Sequence, residues 1–140
     1  MPIQILVTGL KVGDKLEKYL IETDVLVDHL TCKNKSDSYL QQLMQKGICF
    51  TSVFNASEIL FKAKSKYENQ MAKDLLYALK VLGIHSRYSL LIPKYAAKFN
   101  NVRDALFYIL ADLNKLTIVS LSPEKYMDLN SKVIHPSSTI

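Results

Sequence analysis

Residues 19–30, YLIETDVLVDHL, constrain this chain more than any other stretch. An apolar run, Tyr19-Leu20-Ile21, stops at Glu22-Thr23-Asp24. The chain then resumes with Val25, Leu26 and Leu30 at helical spacing and Asp28 polar among them. That pattern predicts a strand, an acidic corner and a helix. In open α/β sheets ligands sit just beyond the carboxyl ends of the strands, so acids at such a corner are candidates for a site. A carboxylate ending an apolar strand is also costly to bury without a partner, which marks Glu22 in particular. Two more isolated acids, Glu58 and Asp104, fall at comparable junctions, and the expectation is that all three converge.

The remaining pattern supports one α/β domain. After a strand at about 19–22 and a helix at about 24–31, Ser36 or Asp37 is placed to cap a helix over about 38–46, with Gly47 ending it. A short strand follows at 48–51. Thr51 and Ser52 precede a helix over about 53–65 with Val53, Ala56, Ile59, Leu60 and Ala63 as its apolar stripe, so that Glu58 shares the opposite face with Phe54, Asn55 and Phe61. Met71, Leu75, Leu79 and Leu82 predict a second long helix, about 68–82, ended by Gly83, with Ile84 and His85 continuing as a strand. Pro93 marks a helix start or a kink. A helix over 102–113 capped by Asn101 puts Asp104 in its first turn, followed by a strand at 117–121, a short helix opened by Ser122-Pro123-Glu124, and a last strand at Val133-Ile134. Strands alternating with helices imply a mostly parallel sheet. Residues 1–18 read as an N-terminal extension or an extra strand, leaving 19–140 as the domain proper.

Composition removes several classes of function. Four glycines leave no room for a Gly-rich phosphate loop. No apolar run approaches the roughly 18 residues of a membrane helix, and the N-terminus lacks the pattern of a signal peptide, so cytoplasmic residence is expected. Cys32 and Cys49 form no C-x-x-C pair, and His29, His85 and His135 match no zinc spacing. The net charge of +5 is compatible with a polyanionic partner.

Three stretches together resemble the signatures of PIN domains. YLIETDVLVDHL is similar to their opening strand, acid and helix; TSVFNASEILFKA (51–63) to the strand entering a helix that bears one glutamate; and NVRDALFYILADLNKLTIVSL (101–121) to the aspartate before an Ala-Leu helix and its following strand. The resemblance covers about residues 19–135. It implies a three-layer fold, a twisted mostly parallel sheet flanked by helices, and a metal-dependent ribonuclease most similar to the VapC-like toxins of toxin–antitoxin pairs. By register Glu22, Glu58 and Asp104 take the catalytic and metal-binding positions, for Mg²⁺ or Mn²⁺, and Ser122 takes the fourth family position as a weak ligand. Glu22 is one methylene longer than the usual aspartate. Thr23 fits as a hydroxyl that orients a carboxylate.

Asp24 reads either as a helix cap or as a supplementary metal ligand beside Glu22, and Asp28 as polar surface one turn from the site. Lys62, with Lys64, Lys66, Lys73 and Lys80, reads either as a solvated face or as a contact for RNA phosphates near Glu58. Arg103 reads as an RNA contact or as the ion-pair partner of Asp104. The resemblance further implies RNA as substrate, an antitoxin protein as partner and a homodimer, the last also suggested by Leu40, Leu43, Met44, Leu76 and Tyr77 on the helices at 38–46 and 68–82. The competing reading, prompted by Glu22 and Ser122, is a catalytically impaired PIN-fold module that binds nucleic acid or protein. A phospho-acceptor regulatory domain also gathers acids at strand ends, but no aspartate ends the strand at 48–51 and Leu121-Ser122 stands where its lysine belongs.

Overall fold

Strand β1, Glu17–Ile21, sits at the centre of the sheet, and its side chains show why. Tyr19 and Ile21 point to one face, Leu20 to the other, and all three are sealed from solvent. A strand apolar on both faces belongs in the middle of a parallel sheet covered on both sides. The computed structural model describes residues 16–126, 129 and 132–139. The proposed extra strand near the N-terminus lies outside the described residues.

Four more strands complete the sheet: β2 (Gly47–Ser52), β3 (Lys80–Leu82), β4 (Thr117–Val119) and β5 (Val133–Ile134), in the order β3-β2-β1-β4-β5. Every pairing is parallel. The chain moves outward from β1 through β2 to β3, then crosses back to β4 on the far side of β1. Connections of one hand running in opposite directions place their helices on opposite faces. Accordingly α1 (Thr23–Thr31), α2 (Tyr39–Met44), α3 (Val53–Lys62) and α4 (Lys66–Tyr77) cover the face of Tyr19, Ile21, Cys49 and Val119, contributing Val25, Leu26, Leu40, Leu43, Ile59, Ala72 and Leu75. After the short α5 (Ile92–Tyr95), α6 (Val102–Asn114) covers the other face, packing Phe107, Tyr108, Leu110 and Ala111 with Leu20, Ile118 and Tyr126. The result is the expected three-layer α/β fold.

Two backbone positions fix the edges of these elements. A Cβ on Gly47 would lie 2.3 Å from the Glu17 carbonyl oxygen, so the start of β2 reaches its register beside β1 only as glycine. Helix α6 ends where Lys115 turns left-handed at φ 54°, with its N–H closing on the Ala111 and Asp112 carbonyls.

The structure corrects the sequence in the middle of the chain. The helix expected over 68–82 runs Lys66–Tyr77 instead. Lys80–Leu82 is strand, paired through Phe50–Lys80, Thr51–Val81 and Ser52–Leu82. The exposed edge of β2 needs a neighbour for its backbone groups, and that demand overrides a helical spacing that Leu79 and Leu82 merely continue. Ile84 and His85 do not extend the strand, and His85 caps a 3₁₀ turn at Ser86–Leu91 through its Nδ1. Val53 is exposed while Asn55, assigned to the outer face, is fully buried. Leu40 and Leu43 are consumed by the chain's own core and offer nothing to a second copy.

Candidate active site

The cleft lies where the sheet order reverses, at the carboxyl ends of β1 and β4, the place where open α/β sheets bind ligands. Each of its elements begins with a cap. Glu22 is itself the N-cap of α1, extended at φ −74° and ψ 161°, with its Oε1 accepting from Thr23 N at 3.0 Å. Asp24, read as a possible cap, is not one. Its Oδ2 accepts instead from Ser120 Oγ (3.0 Å) and Leu121 N (3.1 Å), tying α1 to the end of β4, while its Oδ1 is buried without a hydrogen-bond partner.

Helix α3 starts with a capping box between Ser52 and Asn55. Asn55 Oδ1 accepts from Ser52 N, which fixes the amide so that its Nδ2 donates to Glu22 Oε1 (3.0 Å) and Thr23 Oγ1 (2.9 Å). The first turns of α1 and α3 are thereby bonded together. One turn further on, Glu58 Oε1 accepts from Thr23 Oγ1, so this hydroxyl does orient a carboxylate. Helix α6 begins with Asn101, whose Oδ1 accepts from Asp104 N at 2.8 Å and whose Nδ2 donates to Asp104 Oδ2 at 3.2 Å. The three acids named from sequence thus converge from three elements.

They converge on Arg103. Its Nη2 donates to Glu22 Oε1 (2.6 Å) and Glu58 Oε1 (2.8 Å), its Nη1 to Glu22 Oε2 (2.8 Å) and Asp104 Oδ1 (3.1 Å), and its Nε to Glu58 Oε2 (3.2 Å). The planar fork of a guanidinium suits this task, because its five N–H groups point outward in one plane toward carboxylates on several sides. Phe107, one turn along α6, lies 5.1 Å beneath it. Tyr126 closes the back of the cleft, its hydroxyl donating to Glu22 Oε2 at 2.7 Å.

Burial pushes the Glu22 carboxyl up, but the Arg103 hydrogen bonds and charge, the Tyr126 hydroxyl and the Thr23 N–H outweigh it and hold the group below its ordinary value. Burial works against the charge on Arg103, and the bonds to Glu22 and Glu58 more than restore it. Burial first, and then the charge of Glu22, drive the Tyr126 phenol far up, so it remains a donor.

The open part of the cleft measures about 860 Å³ and is lined by Glu22, Asp24, Asp28, Glu58, Arg103 and Asp104, together with Lys62, Asn101 and Lys125. Lys62 therefore lines the same cleft as Glu58. Ser122 is not part of this lining. Its N–H donates to Ser120 Oγ, and Ser120 is the residue that reaches an acid. Asn55, Tyr126 and Ser120 were missed from sequence.

Carboxylate oxygens are the donors that hard divalent cations select, and the three acids fit such an ion in kind. The room among them is taken by the guanidinium, and among the described residues no three acid, cysteine or histidine groups close on a common ion position.

The profile of the PIN domain family matches residues 19–122. The chain belongs to the PIN domain family. Solved structures with this fold include the VapBC2 complex from Rickettsia felis bound to a DNA fragment from their promoter, at TM-score 0.67 and 19% identity over 84% of this chain and 97% of that one. A toxin–antitoxin complex from Klebsiella pneumoniae aligns at TM-score 0.65 and 18% identity, covering 84% and 97%. FitAcB from Neisseria gonorrhoeae aligns at TM-score 0.66 and 14% identity, covering 85% and 98%. No curated protein matches the sequence. The family match spans all three acids of this PIN domain, from β1 to the turn after β4.

Proposed function

We propose that this PIN domain is a metal-dependent endoribonuclease of the kind found in toxin–antitoxin pairs. The observation that carries the reading is the gathering of Glu22, Glu58 and Asp104 around one cation at the switch point of the sheet. Bringing three carboxylates together costs stability unless positive charge neutralises them, so a cluster of this kind is built for a cation. Glu22, Glu58 and Asp104 would hold Mg²⁺ or Mn²⁺, with Asp24 behind them. Such an ion, when bound, lowers the pKa of its water and offsets charge on a phosphate under attack. The chain's own residues do the positioning: Tyr126 and Asn55 aim the Glu22 carboxylate, and Lys62 and Lys125 at the rim offer charge to the RNA backbone. Complexes among the similar structures support an antitoxin-type protein as partner of this chain. Exposed Tyr77 and Phe61 support a homodimer, to be checked by light scattering.

The experiment is cleavage of a mixed-sequence RNA by the full chain with Mn²⁺, Mg²⁺ or EDTA. Cleavage is expected with metal, and its loss with EDTA and in Glu58→Gln. A second reading, a PIN-fold binding module without the chemistry, is favoured by Arg103, which already bonds to all three acids. RNA binding without metal-dependent cleavage would select it.

A further inference from the structure

We infer that Arg103 is a built-in competitor of the metal: the guanidinium must leave the acidic cluster for a divalent ion to enter, so metal loading is an exchange of one cation for another. The inference deepens the ribonuclease reading by naming what regulates its site, and it rests on that reading for the divalent ion that the cluster takes.

The argument starts from lone pairs. A carboxylate offers about four acceptor positions. Glu22 already receives five donors: Thr23 N, Asn55 Nδ2 and Arg103 Nη2 on Oε1, and Tyr126 Oη and Arg103 Nη1 on Oε2. No position is left for a metal. Three of the donors cannot withdraw cheaply. Thr23 N opens α1, Asn55 is locked in the capping box of α3, and Tyr126 is fully buried among Phe99 and Phe107. Arg103 alone sits at the end of a long flexible stem, and its side chain keeps 22% of its surface exposed toward the cleft. It is the removable ligand.

Glu58 and Asp104 lead to the same conclusion. Both Glu58 oxygens accept from Arg103, and Asp104 Oδ1 does too. A divalent ion placed among these oxygens would meet a permanent positive charge at hydrogen-bond distance, and that repulsion opposes its entry while Arg103 stays. Arginine does not shed its proton to make way, so it leaves only by moving. The cluster is therefore either plugged or loaded.

The test is Mn²⁺ binding by calorimetry to the full-length wild type, Arg103→Gln and Arg103→Lys. Arg103→Gln is expected to bind Mn²⁺ at least about tenfold more tightly than wild type, a coupling of ordinary size between two competing occupants. Arg103→Lys should fall between them, because an ammonium is a point charge that does not span three carboxylates. Equal or weaker binding by Arg103→Gln overturns the inference. If Arg103→Gln does not fold, wild type alone decides. The ¹⁵N resonance of the Arg103 Nε–H, assigned by its loss in Arg103→Lys or by selective labelling, should shift in step with Mg²⁺ binding. A resonance unmoved at saturating Mg²⁺, or no Mg²⁺ binding at millimolar concentrations, overturns it. Cleavage is a separate readout. Tighter Mn²⁺ binding by Arg103→Gln without RNA cleavage keeps the exchange and removes the ribonuclease reading. Metal-dependent cleavage with unchanged Mn²⁺ affinity in Arg103→Gln does the reverse.

Discussion

Arg103 grips Glu22 with two parallel hydrogen bonds, 2.6 and 2.8 Å long, across 81 positions of sequence. This bidentate pair joins the start of α6 to the end of the central strand, and the Glu22 side chain is only 4% exposed. Removing the Glu22 charge weakens at once the hydrogen bonds it accepts from Arg103, Tyr126, Asn55 and Thr23 N, at a cost of about 3 kcal/mol even though Arg103 keeps Glu58 and Asp104 as partners. Glu22→Gln is expected to lose that much in urea denaturation. Glu58→Gln, at a side chain 39% exposed, should stay within about 1 kcal/mol of wild type.

The same carboxyl sets an acid limit on stability. Glu22 titrates below its ordinary 4.5 in the folded chain, because Arg103, Tyr126 and Thr23 N together outweigh the opposing effect of burial. A folded value below the unfolded one means that the native state releases the proton more readily. Its contribution is present above the unfolded value and disappears as pH falls through the folded one. Urea denaturation from neutral pH down to acid should therefore show a shallower loss in Glu22→Gln than in wild type. Equal slopes would remove Glu22 as the source.

Tyr126→Phe deletes one hydroxyl and leaves the ring between Phe99 and Phe107. A hydrogen bond to a charged group is worth about 1.5–3 kcal/mol. A destabilisation in that range is expected, smaller than for Glu22→Gln, because Arg103 still holds the carboxylate.

Lys115→Gly should stabilise the chain. Lys115 closes α6 in the left-handed region at φ 54°, where a side chain costs roughly 1 kcal/mol that glycine does not incur. A higher urea midpoint with an unchanged slope is the expected result.

Lys62→Ala and Lys125→Ala address the rim of the cleft. If each lysine meets one phosphate, each substitution should weaken RNA binding regardless of sequence and reduce the salt slope by about one. A slope unchanged in both variants would leave the lysines as solvated surface.

The acids were legible because each sits at a junction where apolar patterning changes period: Glu22 after Tyr19-Leu20-Ile21, Glu58 one turn into a capped helix, Asp104 in a first turn behind Asn101. Their supports were not. Asn55 lies on the face opposite the expected apolar stripe, and only the approach of α1 makes that face interior. Tyr126 follows a short turn with no periodicity to orient it. Arg103 could be placed beside Asp104 by adjacency, but adjacency says nothing of Glu22 or Glu58. Strand β3 was hidden because three residues, Lys80–Leu82, are too few to show alternation, and the need of β2 for a neighbour is a property of the sheet rather than of that segment.

The central place of β1 has a consequence for how the molecule comes into being. Tyr19 pairs with Cys49 on one side and with Thr117 on the other, so the middle of the sheet waits for a strand made almost at the opposite end of the described chain. Pairings this distant in sequence close slowly, and synthesis delivers the N-terminal part first. A nascent chain that has passed α3 already carries Glu22 and Glu58, yet has neither the arginine that neutralises them nor the strand that seals their floor. The cleft is completed late, and the residue that completes its charge balance, Arg103, emerges one position before the last of its three acids.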